Sequence, residues 1–512
     1  MRSLILILLV LFVLPVNGQT ISVLTYHDIV SDAKDSIYSV TRSNLVAQLD
    51  YLEANGYEPV SLSLLDKVRN GRAKLPKKPV LLTFDDGLAS YYNFVRPLLK
   101  IYGYPSVISV VSAWIDGKEV PPEYLGKMMK WEQLNELAND KNVEVISHTH
   151  NLHRGILSNP QGNVAAASLT RQYFPVENTY ESEKAYRDRI HDDLAFSVQR
   201  FNQMLGMSPR AIAWPYGFYD NILVEEAAKL GMNFHLTLDD KPATDDLLPK
   251  VNRRIILNSP DIEDFIAELE YVPRPERRRF VELSLDEFSG KSIKDQETVL
   301  SEILDQLVDL DVDMVVVNPF NSKLTKAFFV SDQIKLDVDV LNRVLHQIKY
   351  RADIQHIYIN IPSGISASNK AKLYTDLARL NRFNGIIFDS KINVSELKLI
   401  VKQVKRHLPR IRVGVKDKPG IDYEFEFVVS NVDFNATAQE IQAELSKLSG
   451  IPLPVYVSLR GSNHSDTAKL FATIESVKAM GVQNYGFDLG NMLTQSDNIL
   501  IQIAKKILER GE

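Results

Sequence analysis

The sequence predicts an α/β protein built from two successive (β/α) barrel-like domains. Three observations predict it. Short β-rich runs alternate with amphipathic segments from Ile21 to about Asp264, the rhythm of a largely parallel sheet with helices outside it. That rhythm stops at Tyr271–Arg279, where two prolines and four arginines make a stiff, solvated linker. It then restarts and yields about eight more strand-like runs, enough for a compact (β/α) barrel.

The elements follow in order. Met1-Arg2 precedes an unbroken apolar run, Leu4–Leu14, which Pro15 ends. Eleven residues are short for a membrane span and suit a signal-peptide core, with Val16-Asn17-Gly18 at the cleavage position and Gln19 as the mature start. We therefore expect secretion across the inner membrane, into a bacterial periplasm. Composition agrees with a secreted globular chain. Among 512 residues, 59 basic against 65 acidic residues give a net charge of -6, which offers no general nucleic-acid-binding surface. The absence of cysteine excludes disulfides, thiolate zinc sites, thiol nucleophiles and lipoprotein acylation.

In the first domain, Ile21–Tyr26, Pro79–Phe84, Ser106–Ser112, Val143–Ser147, Ala211–Trp214 and Asn233–Leu238 read as strands. Thr41–Asn55 starts with a polar cap and repeats Leu45, Leu49 and Leu52 on one face; Tyr186–Leu205 and Asn221–Leu230 are further helices. In the second, the strands are Phe280–Ser284, Met314–Val317, His356–Ile361, Gly385–Phe388, Arg412–Val415, Phe425–Val429, Val455–Leu459 and Tyr485–Phe487. Helical segments such as Gln296–Leu307, Val338–Tyr350 and Ala371–Arg379 intervene. The expected division is 1–18 signal peptide, 19–270 first domain, 271–279 linker and 280–512 second domain.

Four strand ends gather chemistry. Val80–Phe84 runs into Asp85-Asp86-Gly87, two carboxylates where catalytic groups sit in parallel α/β folds. Val143–Ser147 ends in His148-Thr149-His150-Asn151-Leu152-His153, so three of ten histidines fall within six residues. Two histidines and a carboxylate make a hydrolytic metal site, with His148 and His153 as ligands and His150 as a loop hydrogen-bond partner. Arg210 begins a third segment that ends Trp214-Pro215-Tyr216-Gly217, an aromatic platform for a sugar ring. His27 closes the first strand and is a candidate general acid.

These four pieces resemble the polysaccharide deacetylases of carbohydrate esterase family four. The order, with His27 ahead of Asp85, is similar to its circularly permuted poly-β-1,6-N-acetyl-D-glucosamine N-deacetylase subgroup. The resemblance implies a NodB-homology domain and a hydrolase acting on amide C–N bonds in biofilm exopolysaccharide export. It implies Asp85 as base, His27 as acid, Arg210 orienting Asp85, and the Tyr216 main chain supporting the oxyanion. It further implies Asp86, His148 and His153 holding one divalent cation (zinc, nickel, cobalt or iron), and Trp214 and Tyr216 meeting substrate. The implied partners are the polymer and an outer-membrane export porin. Other glycans (peptidoglycan, chitin oligomers, xylan) and a non-catalytic export scaffold are the competing readings.

The second domain resembles, faintly, the glycoside-hydrolase-like barrel of the same subgroup. Where that barrel carries a His-Asp-Asp run, this chain reads Asp389-Ser390-Lys391. Glycoside hydrolysis normally needs two carboxyl groups at a set separation. The expectation is a groove that binds polymer without cutting it, with Asp389 and Asp488 as its carboxylates.

Overall fold

Val80–Phe84 is buried at every position, the signature of a strand covered on both faces. It is one of seven parallel strands that form the frame of the first unit. These are β1 (Thr20–Tyr26), β2 (Pro79–Phe84), β3 (Ser106–Val110), β4 (Val143–Ser147), β5 (Ala211–Ala213), β6 (Phe234–Thr237) and β7 (Lys250–Asn252). They are hydrogen-bonded in that order. One residue past β7, Arg254–Ile255 pairs in parallel with β1, so the sheet curls into an almost closed barrel. The computed structural model describes residues 18–33, 36–271, 277–417, 423–433, 436–448, 453–460, 467–490 and 504–505. The expected signal-peptide core, Leu4–Leu14, and linker residues 272–276 lie outside the described residues.

Helices α1 (Arg42–Ala54), α2 (Leu62–Arg69), α3 (Arg96–Tyr102), α4 (Ser112–Ile115) and α5 (Trp131–Ala138) follow the early strands. Helices α6 (Glu183–Leu205), α7 (Asn221–Lys229) and α8 (Ile262–Glu270) complete this part of the chain. Helix α1 keeps the predicted limits. The Thr41 hydroxyl caps it by accepting from the Asn44 N–H, and Leu45, Leu49 and Leu52 are buried. Alternate residues of β2 feed different layers. Val80, Leu82 and Phe84 pack with Leu45, Leu99 and Leu134, while Leu81 packs with Val23, Val107 and Ile146. Each fully buried side chain of this size contributes about 1.5–3 kcal/mol. The strand expected over Ser106–Ser112 stops at Val110, because Ser112 opens α4.

The chain forms two compact units whose limits differ from a single cut at the linker. Unit 1 comprises 1–153, 190–218 and 226–272; unit 2 comprises 154–189, 219–225 and 273–512. Segment 154–189 is tied within unit 2 by side chains: the Asn159 amide donates to Asn342 Oδ1 at 2.8 Å, and the Tyr180 hydroxyl to Asp339 Oδ2 at 2.7 Å.

Unit 2 is built on a closed barrel of eight parallel strands. They are β8 (Arg279–Leu283), β9 (Met314–Val317), β10 (His356–Ile361), β11 (Gly385–Phe388), β12 (Arg412–Lys416), β13 (Phe427–Asp433), β14 (Val455–Arg460) and β15 (Asn484–Gly490). All eight are the strands expected from the sequence, with β13 displaced toward its carboxyl end. Phe280, Met314, Val316, Tyr358, Ile387, Phe427, Val429 and Tyr456 form one compact cluster, alternating along the strands with Val281, Val315, Ile357 and Ile386 of a separate cluster. That alternation is the filling of a barrel core on one face and its helical cover on the other. Among the described residues no helix is long and apolar enough to cross a membrane.

Candidate active site

The carboxyl ends of β1, β2 and β4 bring five of the expected groups together: His27, Asp85, Asp86, His148 and His153. The Asp85 N–H donates to the Tyr26 carbonyl at 2.9 Å, which extends the β1–β2 ladder by one residue. Asp86 then takes a left-handed conformation, φ 74°. This turn lets two successive carboxylates reach one pocket, which a regular strand forbids.

His148 continues β4, its N–H donating to the Val110 carbonyl at 2.8 Å. Its ring Nδ1 lies 2.7 Å from the Ala213 carbonyl, so Nδ1 carries the proton and Nε2 turns to Asp86 Oδ1 at 3.6 Å. Thr149, with φ 71°, folds the chain back, and His153 Nε2 comes to 3.7 Å from the same oxygen. Asp193 pins this loop by accepting from the N–H groups of His150 and Asn151 at 3.0 and 2.7 Å. The His150 ring leaves the pocket: its Nδ1 lies 2.9 Å from Ser112 Oγ and its face meets Phe196 at 4.5 Å.

One ligand atom from each of Asp86, His148 and His153 lies within 4.8 Å of the others. Burial pushes both imidazoles down to about 4, so they are neutral at physiological pH. Burial pushes the Asp86 carboxyl above the usual range, and its Oδ1 is buried without a hydrogen-bond partner. Two neutral imidazoles aimed at an unsatisfied carboxylate oxygen fit a divalent cation, whose charge would offset that burial.

Asp85 has the opposite electrostatics. Burial alone would raise it. The Arg253 guanidinium, with His148 and His27, outweighs burial and holds it well below the usual carboxylate range. Arg253 donates to Asp85 Oδ1 at 2.7 Å, and Ser109 Oγ donates to the same oxygen at 2.6 Å. Neither residue stands out in the sequence. Arg253 is the single residue between β7 and Arg254–Ile255, where the barrel nearly closes, so its distance to Asp85 is set by curvature. Ser109 shares a strand face with Val107, a period-2 signal that could have pointed to it.

His27 is half-buried, with its ring 5.2 Å from Tyr38 and its Nδ1 without a hydrogen-bond partner. It acts electrostatically on Asp85, Asp86 and His153, which places it at the same pocket.

Two expectations are corrected. Arg210 does not orient Asp85. It precedes β5, at the amino end of the sheet, and forms a fork with Glu144 at 2.6 and 2.7 Å. Trp214 is not a platform for substrate. It is fully buried and stacks on His235 at 5.9 Å with 2° between the planes. Tyr216 is 47% exposed, has left-handed backbone (φ 57°), and lies 4.4 Å from the His153 ring. Gly217 makes this turn possible: a Cβ there would sit 2.4 Å from Leu238 Cβ.

In the second barrel, Asp389 accepts from Ser363 Oγ at 2.7 Å and from the Lys391 N–H at 3.0 Å, a local loop arrangement. Asp488 lies four strand positions away, on β15, in register with Glu282. Glu282 is a buried carboxylate the sequence reading missed, held by Lys416 Nζ at 2.8 Å and Ser458 Oγ at 2.6 Å.

A family model described as polysaccharide deacetylase matches residues 72–235, the stretch with Asp85, Asp86, His148 and His153. The poly-beta-1,6-N-acetyl-D-glucosamine N-deacetylase of Escherichia coli (strain K12) is 29% identical over 364 residues, 68% of this chain and 53% of that protein. The chain thus spans about half the length of this curated relative. A solved de-N-acetylase from Aggregatibacter actinomycetemcomitans is 31% identical and overlaps 48% of this chain and 99% of its own, with a TM-score of 0.44. The BpsB deacetylase domain from Bordetella bronchiseptica is 36% identical over 47% of this chain and 96% of its own, with a TM-score of 0.42. By the matched family model, residues 72–235 are a polysaccharide deacetylase domain.

Proposed function

We propose that the chain is a cation-dependent N-deacetylase that removes acetyl groups from poly-β-1,6-N-acetyl-D-glucosamine during biofilm exopolysaccharide export. The observation that carries this reading is the pairing of two unlike aspartates. Asp86 faces two neutral histidines with an unsatisfied oxygen, and Asp85 is kept ionised by Arg253. An amide is a poor electrophile, and a divalent cation held by Asp86, His148 and His153 would polarise its carbonyl and acidify water. Asp85 accepts the proton of the attacking water. His27 donates a proton to the departing amine, without which the tetrahedral intermediate reverts. The exposed Tyr216 ring meets the sugar, and its main chain assists the oxyanion. Zinc, nickel, cobalt and iron all suit the ligand set.

The polymer assignment rests on the names of the relatives and on the permuted position of His27. In this reading residues 1–18 are a signal peptide, the mature chain works in the periplasm, and an outer-membrane porin receives the product. The second barrel, 280–512, binds polymer through a mouth that includes Asp389 and Asp488 and does not cut it. A substrate panel tests the proposal: acetate release from β-1,6-linked N-acetylglucosamine oligomers, chitin oligomers and acetylated xylan. Preference for the β-1,6 series is the expected result; equal or faster release from another glycan overturns the polymer assignment. Shortening of partly deacetylated polymer by the chain would overturn the binding-only role of the second barrel.

A further inference from the structure

We propose that Tyr38 is a positioning residue for His27, its ring setting the orientation of the imidazole that protonates the departing amine. The inference rests on the acid reading of His27 above.

The placement starts from strand register. His27 lies between β1 and a short strand, Asp28–Val30. That strand pairs in parallel with Ser39–Thr41, with Asp28 opposite Ser39, Ile29 opposite Val40 and Val30 opposite Thr41. One step back along both segments brings His27 level with Tyr38. The two rings meet there, their centroids 5.2 Å apart and their planes tilted by 57°. That separation is a favoured one for an aromatic pair. His27 also follows directly on Tyr26, whose carbonyl accepts from the Asp85 N–H at 2.9 Å. The tyrosine therefore meets the histidine beside the aspartate turn.

The main chain that carries Tyr38 is held on both sides. The Ile37 carbonyl accepts from the Asn258 N–H at 2.7 Å, and the Ser36 carbonyl from the Ser39 N–H at 3.1 Å. The Thr41 N–H donates to Ser259 Oγ at 3.0 Å, and Thr41 then caps α1. Ile29 and Val40 are buried in the core and anchor the paired strands. His27 has less to hold it. Its Nδ1 is buried and has no hydrogen-bond partner among the described residues. Rotation about the Cβ–Cγ bond of histidine is soft, with two broad wells. With no hydrogen bond at Nδ1 to fix that rotation, packing sets the ring, and Tyr38 supplies an aromatic face for it. Tyr38 is 42% exposed, so its truncation removes little core packing. A general acid must lie within hydrogen-bond reach of the atom it protonates. A misplacement of about 1 Å in such geometry costs roughly 10²-fold in rate.

The test uses the full, cation-loaded chain and compares wild type, Tyr38→Ala, Tyr38→Phe, His27→Ala and the Tyr38→Ala/His27→Ala double variant. Turnover is measured on a β-1,6-linked N-acetylglucosamine oligomer and on nitrophenyl acetate, an activated ester, and melting temperatures show that each variant is folded. Tyr38→Ala is expected to lower kcat on the amide by roughly 10²-fold, with KM within about three-fold of wild type and a much smaller loss on the ester. Tyr38→Phe, which keeps the ring, should recover most of the amide rate. In the His27→Ala background the second substitution should change kcat by less than about three-fold, because the group it positions is gone. Losses that multiply in the double variant, an equal loss on amide and ester, or an effect confined to KM each overturn the positioning role. Near-wild-type amide turnover by Tyr38→Ala, while His27→Ala is impaired, overturns it as well and leaves the acid reading standing. Near-wild-type amide turnover by His27→Ala overturns the acid reading and this inference with it.

Discussion

Replacing Arg253 with Met should damage the protein in a way that depends on pH. The Asp85–Arg253 pair is deeply buried, with side chains 5% and 1% exposed and a 2.7 Å contact. Removing one partner of such a pair leaves an uncompensated buried charge, at a cost of about 3–5 kcal/mol. For a domain of this size each kcal/mol lowers the melting temperature by about 2–4 °C, so a fall of about 6–20 °C is expected at pH 7. The sign with pH follows from Asp85. In the wild type its folded carboxyl lies below the usual range, so the stabilisation is full above the unfolded value, about 3.9. It is lost only as pH falls through the lower folded value. Without Arg253 the remaining dominant influence is burial, which raises the carboxyl. Asp85 then takes up a proton on mild acidification, and the deficit between variant and wild type narrows from pH 7 toward pH 4.5. Calorimetric melting of both proteins across that range is the assay. A deficit under about 1 °C at pH 7, or one that stays constant with pH, would refute the reasoning.

Asp85→Asn should still bind one equivalent of cation while acetate release falls by about 10²–10⁴-fold, because the proton acceptor is gone and the shape remains. His27→Ala should show a comparable defect on amides that shrinks on activated esters, whose leaving groups need little protonation; equal defects on both would remove its role as acid. Arg210→Ala should leave deacetylation near wild type and change stability by less than about 1 kcal/mol, since its pair with Glu144 is partly exposed and remote from Asp85. A large catalytic loss in that variant would restore the role withdrawn from Arg210.

Local pattern carried most of the architecture. The eight strands of the second barrel were visible because buried parallel strands read as short apolar runs with turns between them. The limits of α1 were visible because Thr41 and Asn55 cap it and its leucines repeat on one face. The candidate cation group of Asp86, His148 and His153 was legible because the two histidines lie five positions apart at one strand end and the aspartate sits at another. What stayed hidden depends on curvature and long-range contact. Arg253 reaches Asp85 only because the sheet curls until the chain after β7 meets β1. Arg210 was misassigned because motif likeness does not say at which end of β5 an arginine lies. Trp214 was misread because an aromatic beside Pro215 and Tyr216 looks surface-facing until His235 is seen stacked against it. Glu282 was passed over because a lone acid within an apolar run gives no sign that Lys416 and Ser458 will converge on it from β12 and β14.

The most direct test of the central claim, that Asp86, His148 and His153 hold a cation required for amide hydrolysis beside Asp85, is a reconstitution titration. The chain is stripped with chelator, and acetate release from a β-1,6-linked N-acetylglucosamine oligomer is followed as zinc or cobalt is returned. The account predicts no release from the stripped chain, recovery that saturates at one equivalent, and no recovery for His148→Ala at the same cation concentration. Full release from the stripped wild type, or recovery in His148→Ala that matches wild type, would contradict it.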